Sequence, residues 1–285
     1  NEEGARFEPA MMSSGVLCGK FKKEDMLNSE AKDIPGYYFK DALQKSGYKG
    51  SEENRMNPEK TAGLVELHAE QGPVLDAENK EVGIVEGVCG MVNYEFTMRG
   101  QADHAGTFPM KYRKDALYAC AKVIDYLHEN LDKLDEELVY TTGKISAHPN
   151  IHTIIPDEVK LTLDSRHKDP KVMEQVVEVI KNLPESLEKC TVEKEAWARD
   201  TVYFNKKLVG FVEDSVKELG YTYKKMYSGA GHDAQYMCDA IPTTMIFVPS
   251  VEGHSHCELE YSTPENCLKG ANVLLNTLLK MDEEL

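Results

Sequence analysis

The sequence predicts an α/β fold interrupted by an inserted α+β domain of the ferredoxin-like type. Three observations predict it. First, over roughly a hundred residues the pattern runs strand, helix, strand, strand, helix, strand, the order of a split βαβ unit. Second, strand and helix patterns flank this block on both sides, so the block interrupts a parent domain. Third, residues 241–249 form an apolar run suited to a strand buried in a parallel sheet. The insert is expected over residues 91–200, with hinges near Gly90 and Arg199. The parent then occupies 1–90 and 201–285.

Residues 1–61 read as loops and short helices, with helical candidates at 24–27 and 38–45. Gly47, Gly50 and Ser51 end the second. Residues 64–68 and 81–86 read as short strands. Within the insert, 92–99 alternates as a strand. Residues 113–131 carry Ala116, Leu117, Cys120, Val123, Ile124 and Leu127 at helical spacing. Strands follow at 138–146 and 158–166. In the latter Val159, Leu161 and Leu163 alternate with Lys160, Thr162 and Asp164, which leaves one face to be covered by helices. A helix over 170–183 has Pro170 in its first turn, and 191–197 is the insert's last strand. Beyond it, Asn205 caps a helix over 206–219 that Gly220 stops, and Thr263-Pro264-Glu265 opens a closing helix with Leu268, Val273, Leu274 and Leu278.

The chain has 285 residues, 41% of them hydrophobic, and a net charge of −16 from 49 acidic and 33 basic residues. That balance opposes nucleic acid or an anionic membrane as partner. No apolar run reaches the roughly 20 residues of a membrane span. The seven cysteines are scattered without a CxxC pair, which fits reduced thiols and a cytoplasmic setting.

Candidate chemistry centres on Leu67-His68-Ala69-Glu70-Gln71-Gly72-Pro73, where an apolar strand ends in a Gly-Pro turn. A single histidine at a strand end is ordinarily a surface polar residue. Here it is joined by adjacent carboxylates in Asn1-Glu2-Glu3-Gly4 and by Gly253-His254-Ser255-His256-Cys257. Paired carboxylates with well-separated histidines make up the parts of a metal-assisted hydrolase. Side chains of the adjacent Glu2 and Glu3 diverge, so one can bind metal while the other reaches a water. His254 and His256, two residues apart, would share a face on an extended strand. His128, His148 and His152 have no such partners and read as surface residues.

These stretches, with Gly100-Gln101-Ala102-Asp103-His104-Ala105-Gly106-Thr107 and Ser228-Gly229-Ala230-Gly231-His232-Asp233-Ala234, resemble one family in its own order across the whole chain. It comprises the metal-dependent N-carbamoyl-L-amino acid hydrolases, allantoate amidohydrolases and β-ureidopropionases, of the aminoacylase–carboxypeptidase superfamily. The resemblance implies a zinc-peptidase-like catalytic domain whose insert is a lid that also dimerises. It implies hydrolysis of the C–N bond of a ureido acid by two divalent ions, zinc or else manganese, cobalt or nickel. By the same resemblance Glu2 is the general base, and Glu3, His68 and His256 are metal ligands. His104 stabilises the developing oxyanion, and Arg166 holds the substrate carboxylate. Gln71, Thr153 and His232 line the substrate pocket. The run from Leu163 to Asp169 is nearer the allantoate branch.

Two departures qualify the resemblance. Thr153 stands where the family usually has Asn, and a hydroxyl cannot replace both a carbonyl and an amide. The family's upstream segment, with a His ligand and a bridging Asp, has no counterpart, so the natural protein is expected to continue upstream. The chain alone is then expected to hold metal weakly and turn over negligibly. The alternatives are an aminoacylase or dipeptidase of the superfamily and, from another class, a non-catalytic dimerisation fragment.

Overall fold

The computed structural model describes residues 3–284; Asn1, Glu2 and Leu285 lie outside the described residues. The chain divides into two units. One comprises residues up to Val88 together with Val202 onward, and the other runs from Cys89 to Thr201.

The first unit opens with three short helices, α1 (Met12–Leu17), α2 (Lys23–Leu27) and α3 (Phe39–Ser46). They gather on a small core of Phe7, Met12 and Ala31. Then come β1 (Leu64–Ala69), α4 (Val74–Ala77) and β2 (Val82–Val88).

The second unit contains β3 (Gly90–Arg99), α5 (Ala116–Leu131), β4 (Val139–His148), β5 (Glu158–His167), α6 (Pro170–Lys181), β6 (Ser186–Leu187) and β7 (Cys190–Arg199). Its sheet order is β4-β5-β3-β7-β6, with every pairing antiparallel. Burial along β5 alternates strictly, with Val159, Leu161 and Leu163 inside. Val123 and Leu127 of α5 and Val176 and Ile180 of α6 meet that side of the sheet in one core, so both helices cover the same face. Complete burial of each such side chain is worth about 1.5–3 kcal/mol. The expected helix start at 113 is corrected to Ala116. Asp115 turns outward as the cap, its carboxylate accepting from Leu117 N and Tyr118 N at 3.0 and 3.2 Å.

The first unit resumes with β8 (Val202–Tyr203), α7 (Lys206–Glu218), β9 (Tyr223–Ser228), α8 (Asp233–Met237), β10 (Thr243–Val248) and α9 (Pro264–Glu284). β10 lies parallel to β1 and antiparallel to β2, and β9 runs parallel to β2. All six β10 residues are buried, which explains its unbroken apolar run. The strand is shorter than the expected 241–249. Pro242 and Pro249 flank it and lack the N–H a ladder needs, although the Pro242 carbonyl still accepts from Leu64 N at 2.9 Å. Asn205 caps α7 through Lys207 N and Leu208 N. Among the described residues no helix is long and apolar enough to cross a membrane.

Candidate metal and substrate site

In the first unit His68 lies near the carboxyl end of β1, and Gln71 and His256 lie in the chain that follows β1 and β10, the usual ligand position in an α/β sheet. The two loops that leave these strands are tied together. Glu70 N donates to the Val248 carbonyl at 2.9 Å, Gln71 N to Ser250 Oγ at 3.0 Å, and Glu252 N to Asp76 Oδ2 at 2.9 Å. Gly253, at φ +72°, packs so closely that an added Cβ would stand 2.5 Å from Pro73 N.

His68 is the last but one residue of β1. Its Nδ1 lies 2.9 Å from the Ala69 carbonyl, a contact that requires hydrogen on Nδ1 and fixes the orientation of the ring. Beside it stand Glu66 and the buried His232, and one donor atom from each of the three lies within 4.8 Å of the others. The His68 and His232 rings meet edge to face at 4.6 Å. Glu66 Oε2 accepts from Ala234 N at 2.7 Å, which anchors the start of α8 to β1. Ser228 Oγ lies 2.7 Å from His232 Nε2. His232, expected at the substrate, is thus packed 1% exposed against His68 and Phe247. Glu66 was missed by the sequence reading. Its signal is the spacing Glu66-x-His68, which puts both side chains on one face of a strand.

Glu3 and His256 come together from opposite ends of the chain, Glu3 Oε2 lying 3.3 Å from His256 Nε2. They line a cleft of about 780 Å³ with Glu8, Lys32 and Glu260. His254 and His256 do not lie on an extended strand. A 3₁₀ turn at Val251–Gly253 precedes them, and His256 takes φ +55°. Glu260 holds this turn by accepting from Ser255 Oγ and His256 N, both at 3.1 Å, while His254 turns to Glu252. Gln71 also has a left-handed backbone, at φ +57°. Non-glycine residues at positive φ persist only where surrounding bonds fix them, and such residues gather at functional sites. The carboxylate and imidazole donors fit a divalent ion: hard oxygen and borderline nitrogen, with His68 already pinned through its other nitrogen. Glu2, read as the base, lies outside the described residues.

Glu70 sets the geometry of the first loop. It is 8% exposed, and its two oxygens accept from Val74 N and Leu75 N, each at 2.8 Å. Burial raises its carboxyl above the ordinary range, and these two bonds only partly oppose that.

In the second unit His104 and Thr153 are brought together. The Thr153 carbonyl accepts from Ala105 N at 2.8 Å, and His104 bridges to Ile154. Arg166 lies on β5 with its Nε and Nη2 donating to the two oxygens of Asp164 at 2.7 and 2.9 Å. That fork keeps the guanidinium pKa raised. A second acidic group, Asp135 and Glu137 beside the buried His167, has donor spacing similar to the first. There, however, His167 Nδ1 accepts from Asp169 N at 3.0 Å, so Nε2 carries the hydrogen and faces Asp135 at 3.4 Å. This arrangement suits an internal contact rather than an ion.

The family described as Peptidase family M20/M25/M40 matches residues 1–280. The allantoate amidohydrolase of Bacillus subtilis (strain 168) is 35% identical over 285 residues, covering 98% of this chain and 68% of the relative. The N-carbamoyl-L-amino-acid amidohydrolase of Rhizobium meliloti is 35% identical over 288 residues, covering 99% and 68%. A solved amidase of the hydantoinase/carbamoylase family from Burkholderia multivorans superposes with a TM-score of 0.87 at 38% identity, over 99% of this chain and 68% of that one. The match spans the Glu3, His68, His104, Arg166, His232 and His256 stretches alike, and the chain belongs to Peptidase family M20/M25/M40.

Proposed function

We propose that the chain is a metal-dependent amidohydrolase that cleaves the C–N bond of a ureido acid, either allantoate or an N-carbamoyl-L-amino acid. The observation that carries this reading is the convergence of Glu3 on His256, with Glu66 and His232 gathered beside His68. The similar proteins named for allantoate and for N-carbamoyl-L-amino acids support the substrate class.

Glu3, His68 and His256 would hold the divalent ions, zinc first among them, with Glu66 and His232 packed around His68. Such ions, when bound, lower the pKa of a coordinated water towards 7 and polarise a carbonyl. The Glu2 carboxylate takes the proton of the attacking water and passes it to the leaving nitrogen. His104 donates to the oxygen that gains charge, a contribution of roughly 3–4 kcal/mol for a well-aimed donor. Arg166 binds the substrate carboxylate. Its Nε and Nη2 donate to Asp164, which holds the guanidinium in place. Gln71 and Thr153 make polar contacts to the ureido group. The protein acts in the cytoplasm as a dimer formed through the inserted lid, with a small molecule as substrate.

Two ions need about three protein donors each. Among the described residues Glu3, His68 and His256 supply three, while Glu66 and His232 beside His68 are engaged by Ala234 N and Ser228 Oγ, so we propose weak metal retention and low turnover for the chain by itself. Metal analysis after dialysis, paired with ammonia release from allantoate, N-carbamoyl-amino acids and a dipeptide control, tests both statements. Less than one tightly held ion with negligible turnover is expected. Two retained ions with rapid turnover would refute the weak site. Dipeptide cleavage without ammonia release from either ureido substrate would replace the amidohydrolase reading with a peptidase.

A further inference from the structure

His104 sits in an exposed turn between β3 and α5, and the turn itself determines which ring nitrogen carries hydrogen. Nδ1 accepts from Gly106 N at 3.0 Å and from Thr107 N at 3.3 Å. A ring nitrogen that accepts two N–H bonds bears no proton, so in this geometry the hydrogen is on Nε2. Gly106 permits the close approach: a Cβ there would stand 3.2 Å from His104 Cε1 and 3.5 Å from Nδ1. The turn is closed from behind by Arg113, whose Nε donates to the Phe108 carbonyl at 3.1 Å and whose Nη2 donates to the Ala105 carbonyl. Phe108 N donates to the His104 carbonyl at 3.2 Å, and Ala105 N to Thr153 O at 2.8 Å.

We propose that Arg113 is a positioning residue for His104. By bridging the Ala105 and Phe108 carbonyls it folds the 104–108 turn so that two amides aim at Nδ1, and this fixes His104 as a donor at Nε2. A planar guanidinium reaches two carbonyls at once, which an ammonium on a flexible stem does poorly. The significance for catalysis rests on the proposed role of His104 as the donor to the charged oxygen. With the other tautomer that nitrogen would be an acceptor and would repel the oxygen.

The test is two-bond ¹H–¹⁵N correlation of the histidine rings in the 285-residue chain, at a pH of about 8 where a free imidazole is neutral. Wild-type His104 should show Nε2–H alone. Arg113→Ala should lower that preference about tenfold or more, since each backbone bond to Nδ1 carries roughly fivefold. Arg113→Lys should fall between the two. Thr107→Pro removes one of the two amides and leaves Arg113 in place, so it tests the lock even if Arg113→Ala unfolds the insert, and it should weaken the preference about fivefold. Nδ1–H or a mixture in the wild type would overturn the proposal. So would an unchanged tautomer in Thr107→Pro, or in an Arg113→Ala chain that stays folded. Failure of the underlying role is a separate result: the lock as described, but ammonia release unchanged by His104→Ala in protein that turns over measurably.

Discussion

Glu70 shows how one side chain links fold to site. It follows the His68-Ala69 pair directly and precedes Gln71, and its carboxylate supplies acceptors for two amides at the start of α4. In Glu70→Gln the side chain keeps one carbonyl oxygen and gains an NH₂ group. Either Val74 N or the buried Leu75 N then faces a donor. We expect a loss of about 1–3 kcal/mol, the cost of one buried unsatisfied amide. Thermal unfolding of the variant beside the wild type checks this, and an unchanged midpoint would show that the two bonds do not hold the loop. The same residue shows where a sequence runs out. Glu70 could be read as one more acidic residue in a motif, because its partners lie four and five positions on in a helix too short to have a period. Glu66 and His232 are separated by most of the chain, and only the parallel pairing of β1 with β10 and the entry to α8 place them side by side.

At the scale of elements, legibility followed periodicity. Strand β5 and helix α5 could be read because one face of each is buried, so the hydrophobic period survives in the sequence. β9 was not read as a strand. Its Tyr-Lys-Lys-Met-Tyr-Ser segment carries two adjacent lysines and is half-buried, and it is a strand because β2 pairs with it in parallel register. Those lysines also join elements. Lys225 of β9 and Lys217 of α7 lie 2.6 and 2.8 Å from opposite oxygens of Glu213 on α7. The two hydrogen-bonded ammonium groups hold the Glu213 carboxyl down at about 2, against an ordinary 4.5. Because the folded value is the depressed one, the stabilisation is fully present above 4.5 and is lost as pH falls towards 2. Both lysines are about half-exposed, so the cluster is worth about 1 kcal/mol, in line with partly screened pairs. Glu213→Gln should therefore lower stability by about that amount at neutral pH. Its urea midpoint should converge with the wild type as the pH is brought from 4.5 towards 2. A constant difference across that range would mean that packing, and not charge, is what the substitution removes.

At the scale of the whole molecule, each unit has the means to fold separately. The insert's core, from Phe96 and Met98 through the α5 and α6 leucines and valines to Val192, is drawn wholly from residues between Cys89 and Thr201. The two ends of that stretch are adjacent. Gly90 N donates to Thr201 Oγ and Arg199 Nη2 to the Cys89 carbonyl, both at 3.2 Å. The flanking residues of the parent pair as well, Val88 lying opposite Val202 across β2 and β8. A fragment of residues 89–201 is expected to unfold in urea as one cooperative transition with native-like circular dichroism, as single domains of this size usually do. The same fragment should self-associate. Among the described residues β4 pairs with β5 alone, and its Val139 and Ile145 side chains are 63% and 55% exposed, so the strand leaves an uncovered edge of the kind that pairs with another chain. Sedimentation of residues 89–201 at micromolar concentration should give a dimer, and a lysine at Ile145 should shift it towards monomer. A fragment that folds but stays strictly monomeric would remove the lid as the route to dimerisation while leaving its independence as a domain intact. A fragment that does not fold would show that the insert's core needs the parent sheet.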